Sequence, residues 1–352
     1  MTLLGSHTCN SITGLVSSKE SGWLWDYNSS VMPIQVYITI DTEEDAWDEY
    51  SREDNSVENI EQIPALQEIF DRYGAKPTYL LTYPVATASR SIEILRPIQE
   101  SGRCEIGTHC HPWNTPPFEE PLNARNSMLC NLPADLVEQK LHQLHATIVE
   151  RFVCAPTSFR AGRWGFSSTV AKAIRALGYW VDTSVTPLVS WERHQGPDFS
   201  NAPSRSYWLD PEDITSEAPA EHLLEVPPTI GFLQRNFERC RRLRTAILQS
   251  PLSRFHLLGA LDRLRLLNRC WLSPELASAP QMILLATRFL DSGASYLNLS
   301  FHSTSLLPGK SPFVPNDSAR RDFLLRIERF LQFANERGLR FSNLSNAVDS
   351  LP

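Results

Sequence analysis

The chain has 352 residues, of which 42% are hydrophobic and 21% charged. This is the composition of a folded globular protein and excludes wholesale disorder. The net charge of −7 argues against a non-specific nucleic-acid-binding protein, and no apolar run approaches the roughly 18–20 residues of a membrane span.

Residues 1–33, a stretch rich in Ser and Asn, are expected to form a flexible extension without the pattern of a signal peptide. The seven cysteines are scattered and form no Cys-x-x-Cys pair, which argues against a disulfide framework and a zinc ribbon. These features together predict a cytoplasmic protein.

From residue 34 onward, short β-branched or apolar runs alternate with amphipathic helical stretches. The predicted strands cover residues 34–41, 77–82, 104–108, 157–159, 179–182, 222–226, 296–301 and 339–342. The predicted helices cover residues 58–73, 91–100, 132–152, 167–177 and 319–337. Strands that are mostly separated by helices are typical of a parallel α/β protein.

Two regions interrupt this alternation. Residues 188–219, rich in Pro, Ser, Asp and aromatic residues, predict a long surface excursion. Residues 232–269 are helical and basic, with nine arginines against Glu238 and Asp262. A solvated helical face explains this segment most simply, and a contact with an anionic ligand or a membrane surface is the alternative.

Polar residues lie at or just after several predicted strand ends, where parallel α/β proteins build their sites. The first group is IDTEED at residues 40–45, in which Asp41 and Glu43 point to the same face if the extended conformation persists. Such carboxylates bind a hard cation or act as a general base. An acidic solvent-exposed loop is the alternative interpretation.

The second group is EIGTHCHPW at residues 105–113. Strand alternation places His109 and His111 on one face and Cys110 on the other. Imidazole is a preferred ligand of zinc and related metals, so the pair predicts a metal site with a third ligand from elsewhere. Hydrogen-bonded structural histidines are the alternative.

Three weaker groups follow along the chain. Residues 159–166 contain Arg160 and Arg163 at a strand-to-helix turn that could bind an anion, and Asp182 ends another strand. The strand that ends near residue 301 delivers His302, a candidate proton donor. Each of these residues could equally be a capping or hydrogen-bonded turn residue.

Taken in order, the five groups resemble the five motif blocks of the NodB-homology polysaccharide deacetylases. Within that family, their sequences are most similar to those of the WalW-like branch. The matching segments are IDTEED (40–45), EIGTHCHPW (105–113), FRAGRWG (159–165), DTS (182–184), and FHS (301–303) with PG (308–309). The resemblance spans about residues 34–345.

The resemblance implies an α/β fold, a distorted (β/α) barrel of about seven parallel strands, in one domain over residues 34–352. The excursion at 188–219 and a basic helical insertion at 232–290 would interrupt it. The resemblance also implies metal-dependent hydrolysis of N-acetyl groups on a sugar of a surface polysaccharide or lipopolysaccharide precursor. The alternatives are an inactive glycan-binding barrel and a hydrolase of another non-peptide C–N bond.

The resemblance also assigns roles to residues. Asp41 matches the general base, Arg160 the arginine that holds it, and His302 the general acid. Asp182 matches the acid that supports a metal-side histidine or the surroundings of His302.

Two departures from the common pattern affect the metal ligands. Thr42 replaces the usual second aspartate and Trp113 the usual second histidine. The expected ligands of a divalent metal, with zinc as the expected ion, are therefore Glu43, His109 and His111, and the roles of Asp41 and Glu43 could be exchanged. Arg163, Trp164 and Trp113 are expected to contact the N-acetylated sugar substrate.

Overall fold

The computed structural model describes residues 33–351, apart from residues 48, 54, 220–221 and 251–256. The predicted N-terminal extension therefore lies outside the described residues, except for Pro33. Residues 33–352 group into one compact unit.

A mostly parallel sheet of nine strands forms the centre of this unit among the described residues, and seven of its strands follow one another in a parallel row. Within the described ranges, the strands are β1 (Gln35–Thr42), β2 (Thr78–Leu81), β3 (Glu105–Cys110), β4 (Ser158–Ala161), β5 (Val181–Asp182), β6 (Tyr207–Trp208), β7 (Leu224–Glu225), β8 (Ile230–Phe232), β9 (Arg269–Trp271), β10 (Tyr296–His302) and β11 (Arg340–Phe341). The parallel strands lie in the order β10-β1-β2-β3-β4-β5-β7. β6 pairs antiparallel with β7, β11 pairs with the start of β1, and β8 and β9 form a separate antiparallel pair.

Helices follow most of the parallel strands. They are α1 (Ile63–Arg72), α2 (Tyr83–Thr87), α3 (Ser89–Glu100), α4 (Ala134–Phe152), α5 (Ser168–Ala176), α6 (Phe237–Gln249), α7 (Leu257–Arg263), α8 (Ala279–Asp291), α9 (Asp317–Glu336) and α10 (Ala347–Ser350). The excursion at 188–219 contains β6, and the segment 232–290 contains α6, α7, β9 and α8. No helix in the described part of the chain is both long and apolar enough to cross a membrane.

The sheet is curled, so that the segment after β7 comes close to β10. The backbone N–H of Thr229 donates to the Asn298 carbonyl over 3.1 Å, and the Asn298 N–H donates to Thr229 Oγ1 over 2.8 Å. The Asn298 side-chain amide also donates to the Val226 carbonyl over 3.1 Å. The predicted α/β fold with a curled, mostly parallel sheet is thereby confirmed.

The alternation of side chains along β1 separates the hydrophobic core from a polar interior. All eight residues of β1 are buried, and Val36, Ile38 and Ile40 belong to the main hydrophobic core. Thr39 and Asp41 point the other way, toward Asn298 and Arg160 inside the curl. Because β-strands have a two-residue period, the packing of the apolar residues fixes the direction in which Asp41 points.

Candidate active site

Asp41 forms a buried ion pair with Arg160 of β4. Arg160 Nη1 lies 2.5 Å from Asp41 Oδ1, and the two side chains are only 1% and 4% exposed. Burial opposes ionisation of this carboxyl, but the charge and the hydrogen bond of Arg160 lower the pKa of Asp41 to about 2. Asp41 is therefore a carboxylate at neutral pH.

Neighbouring strands hold the guanidinium of Arg160 in place. Its Nη2 donates to Thr39 Oγ1 over 2.7 Å, and its Nε donates to the Thr183 carbonyl over 3.1 Å. Thr183 Oγ1 and Asn298 extend the same network. Since a planar guanidinium presents its donors in a fixed geometry, these bonds determine where Asp41 is held.

Glu43, His109 and His111 bring three metal-binding atoms together. The ligand atoms of these buried residues all lie within 4.8 Å of one another. Glu43 Oε2 is 3.7 Å from His109 Nε2 and 3.4 Å from His111 Nε2. Donors of a tetrahedral site with bonds of 2.0–2.1 Å are about 3.3–3.5 Å apart, so the spacing suits a divalent metal.

The second nitrogen of each imidazole fixes which nitrogen is free to bind a metal. His109 Nδ1 lies 3.0 Å from the Arg160 carbonyl, and His111 Nδ1 lies 2.8 Å from Glu44 Oε1. Both partners are acceptors, so Nδ1 donates to them and Nε2 is the nitrogen left to bind a metal beside Glu43. Carbonyl–His and carboxylate–His pairs of this kind orient ligands in metal sites.

The charge state of the cluster also suits a cation. Burial raises the pKa of Glu43 to about 8 and lowers the pKa of His109 to about 3. Ionising a carboxyl in such surroundings is costly unless a positive charge compensates it. A divalent metal would supply that charge and would keep Glu43 ionised.

His302 lies on the opposite side of Asp41, where it ends β10. Its Nε2 is 3.6 Å from Asp41 Oδ2, and its Nδ1 is 3.0 Å from Glu275 Oε2. Glu275 also accepts hydrogen bonds from the His302 N–H and the Ser305 hydroxyl. Burial opposes protonation, but the charge and the hydrogen bond of Glu275 raise the pKa of His302 to about 10. His302 is therefore protonated at neutral pH.

Glu275, rather than Asp182, is the acid beside His302. Asp182 is fully buried in β5, and its two oxygens accept from the backbone N–H and hydroxyl of Ser184 over 2.9 and 2.7 Å. Asp182 also has the buried Glu225 beside it, and its role beside a histidine stays a prediction from the sequence. The groups that contact the metal-side histidines are Glu44 and the Arg160 carbonyl.

A cleft of about 600 Å³ opens above these groups. Its walls are rich in aromatic side chains and include the predicted Trp113 and Trp164 as well as Trp47, Tyr50, Trp191 and Trp271. Trp113 stacks on His111 with ring centroids 4.0 Å apart, and the guanidinium of Arg160 lies over the Trp164 ring. Arg163 also lines the cleft and hydrogen-bonds the Tyr50 hydroxyl. The aromatic faces could pack against sugar rings.

Lys140 of α4 anchors the loop that follows His111. Its Nζ donates to the carbonyls of Pro112, Thr115 and Pro117 over 2.9, 2.7 and 2.6 Å. It also lies 3.1 Å from Glu120 Oε1, with its side chain fully buried. A single ammonium group thus orders the segment that carries His111 and Trp113.

We expect Lys140→Met to lower the free energy of unfolding by about 3–5 kcal/mol, because the buried Glu120 loses its counter-charge. The loosened loop should also weaken metal binding through His111. Denaturant unfolding and metal titration measure the two effects. Lys172→Met is the matched control, since Lys172 is 52% exposed in its pair with Glu212. Unchanged metal affinity in Lys140→Met would show that Lys140 does not hold the His111 loop in its metal-binding position.

Comparisons with known proteins show the fold alone. No protein-family model matches the chain, and no curated protein is similar in sequence. A Parabacteroides distasonis structure described as a "putative glycoside hydrolase/deacetylase" has a TM-score of 0.59 at 10% identity, over 91% of this chain and 71% of that chain. The chain therefore has the curled α/β fold of that protein.

Two further similar structures have TM-scores below 0.5. One is described as a "putative polysaccharide deacetylase" from Mycobacterium smegmatis (TM-score 0.47, 15% identity, 94% of this chain and 98% of that chain). The other is a family 4 carbohydrate esterase from Streptomyces lividans in complex with acetate (TM-score 0.42, 10% identity, 88% and 93%).

Proposed function

We propose that this chain is a metal-dependent hydrolase that removes N-acetyl groups from a sugar. The observation that carries the proposal is the placement of a Glu–His–His cluster beside an ionised Asp41 and a protonated His302. The likeness in fold to a structure named as a glycoside hydrolase/deacetylase supports it. Because one fold hosts many reactions, the site carries the argument rather than the fold.

Glu43, His109 and His111 would hold the metal, with zinc as the proposed ion. A divalent metal supplies an acidified water nucleophile and polarises the acetyl carbonyl. Glu43 is the better ligand of the two acids because its Oε2 lies nearest to both Nε2 atoms. Asp41 is the better base because Arg160 keeps it ionised and oriented.

Asp41 would accept the proton of the attacking water through Oδ2, the oxygen that Arg160 does not hold. A bond then forms between the water oxygen and the carbonyl carbon. His302 would give its Nε2 proton to the sugar nitrogen as the C–N bond breaks, because an amine anion is a very poor leaving group. The products are acetate and an amino sugar. A backbone N–H of the Arg163–Trp164 turn is the proposed donor to the developing oxyanion.

The substrate class follows from the sequence resemblance and from the aromatic cleft. We propose a glycan of a surface polysaccharide or lipopolysaccharide precursor, as in the WalW-like branch. A cytoplasmic location and a single domain over residues 34–352 stay predictions from the sequence.

The direct test is acetate release from N-acetylated oligosaccharides by the purified protein before and after metal removal. We expect acetate and free amine to appear in equal amounts, to disappear after chelation, and to return with a divalent metal. A fully deacetylated oligosaccharide is the control substrate. Stoichiometric metal without acetate release from any N-acetylated glycan would favour the inactive glycan-binding barrel. Ammonia or amine release from a non-sugar amide alone would favour the other hydrolase.

A further inference from the structure

The segment at residues 232–269 has a charge opposite to that of the rest of the chain. Its nine arginines and two acids give it a formal charge of +7, whereas the whole chain carries −7. The remainder therefore carries −14. Such strong segregation creates a local positive field despite the acidic total.

Several arginines of this segment are exposed and lack protein partners. Among the described residues, the guanidinium groups of Arg235, Arg239, Arg263 and Arg265 are exposed, and the structure gives them no hydrogen bond or ion pair. Arg241 and Arg242 share one exposed acid, Glu238. At least four of the nine arginines are therefore available to an outside partner.

Exposed leucines lie on α6 and on the turn that follows α7. Leu243 and Leu248 of α6 are 49% and 43% exposed, and Leu264 and Leu266 after α7 are 66% and 60% exposed. In α6, Cys240 and Ile247 are the buried residues. The four leucines thus remain exposed although other residues of the segment are buried. We call this combination of α6, α7 and residues 264–266 the Arg/Leu surface.

We infer that the Arg/Leu surface docks on an anionic lipid bilayer. Arginines beside exposed leucines are the composition of helices that lie in a membrane interface. Each basic residue near an anionic leaflet adds about 1 kcal/mol of attraction, or about fivefold in binding. Nucleic-acid-binding surfaces combine basic residues with stacking aromatics, whereas the exposed large apolar residues in the described part of this segment are leucines.

The Arg/Leu surface adjoins the cleft. Asp262 belongs to α7 and also lines the cleft, as do the neighbouring Asn268 and Arg269 of the same segment. A docked molecule would therefore present the cleft beside the lipid surface, where a lipid-linked glycan would reach it. This orientation rests on the proposed function, whereas the docking itself does not.

The experiment is co-sedimentation of the full chain with vesicles of phosphatidylcholine alone or mixed with phosphatidylglycerol. We expect binding to the anionic vesicles only, and weaker binding at higher salt. The quadruple variant Arg235→Gln, Arg239→Gln, Arg263→Gln and Arg265→Gln should bind at least about tenfold less. The matched control changes the exposed Arg321, Arg329, Arg337 and Arg340 to Gln and should bind like wild type.

A second pair of variants tests the apolar part. Leu264→Ser with Leu266→Ser should reduce binding to anionic vesicles, whereas Leu325→Ser, at another exposed leucine, should not. Absence of vesicle binding, equal loss in both quadruple variants, or binding only to RNA or inorganic phosphate would overturn the inference. Burial of the leucines in a dimer that does not bind vesicles would do so as well. Acetate release from a soluble glycan should be unchanged in all these variants, which separates this outcome from failure of the proposed function.

Discussion

His302→Gln is expected to lower the turnover number for acetate release by roughly 10²–10⁴ while the metal content stays at the wild-type level. His302 contacts Asp41 and Glu275 but does not belong to the Glu43–His109–His111 cluster. Its loss should therefore remove the proton that the departing amine needs without disturbing the ligands. Metal analysis and steady-state kinetics on the same preparation measure both quantities.

Two companion variants separate proton donation from a structural effect. His142→Gln, at an exposed histidine of α4, is the matched control and should keep full turnover. Glu275→Gln removes the charge that raises the pKa of His302, so the alkaline limb of the pH–rate profile should move to lower pH. If His302 had only a structural role, Glu275→Gln would not shift the pH–rate profile. Comparable acetate release by His302→Gln and wild type would remove His302 as the general acid.

His111→Ala is expected to lower metal affinity by more than about 100-fold and to abolish acetate release with it. Altering only a supporting residue of a metal site typically costs 10–100-fold in affinity, and His111 is one of only three side chains in the proposed ligand set. Metal titration and metal content after dialysis measure the loss. Glu43→Ala and His109→Ala should behave in the same way.

Glu44→Gln provides the graded comparison, because it keeps the three ligands and alters only the partner of His111 Nδ1. We expect an intermediate loss of about 10–100-fold in metal affinity. His222→Ala, at an exposed histidine outside the cleft, is the matched control. Retention of stoichiometric metal by all three ligand variants would show that the cation site lies elsewhere or does not exist.

The strongly patterned elements of the fold could be predicted from the sequence. The run of β-branched residues at 34–41 predicts β1, observed at Gln35–Thr42, and the apolar stripe at 132–152 predicts α4, observed at Ala134–Phe152. The helix predicted at 58–73 begins instead with the 3₁₀ turn Glu58–Gln62. The three-residue strands β8 and β9 were not predicted, because a strand this short contains too few residues to show a period.

The candidate site could be predicted where neighbouring residues share one strand. Strand alternation indicated that His109 and His111 point the same way, and the structure brings their Nε2 atoms toward Glu43. Glu275 escaped prediction because it comes from a loop without a motif and meets His302 only through tertiary folding. Lys140 escaped for a similar reason, since a lysine on a long amphipathic helix normally predicts a solvated position.

The buried ion pair at the centre of the barrel limits how this protein can change over evolution. A neutral residue at position 41 would leave the buried guanidinium of Arg160 uncompensated, at a cost of roughly 3–5 kcal/mol of folding stability. A substitution of Asp41 alone, which would abolish the proposed reaction, would thus also lower the folding stability. Inactive relatives that have lost Asp41 are therefore expected to have replaced Arg160 as well. A relative that keeps Arg160 without an acid at position 41 would have lost activity recently or have a compensating residue.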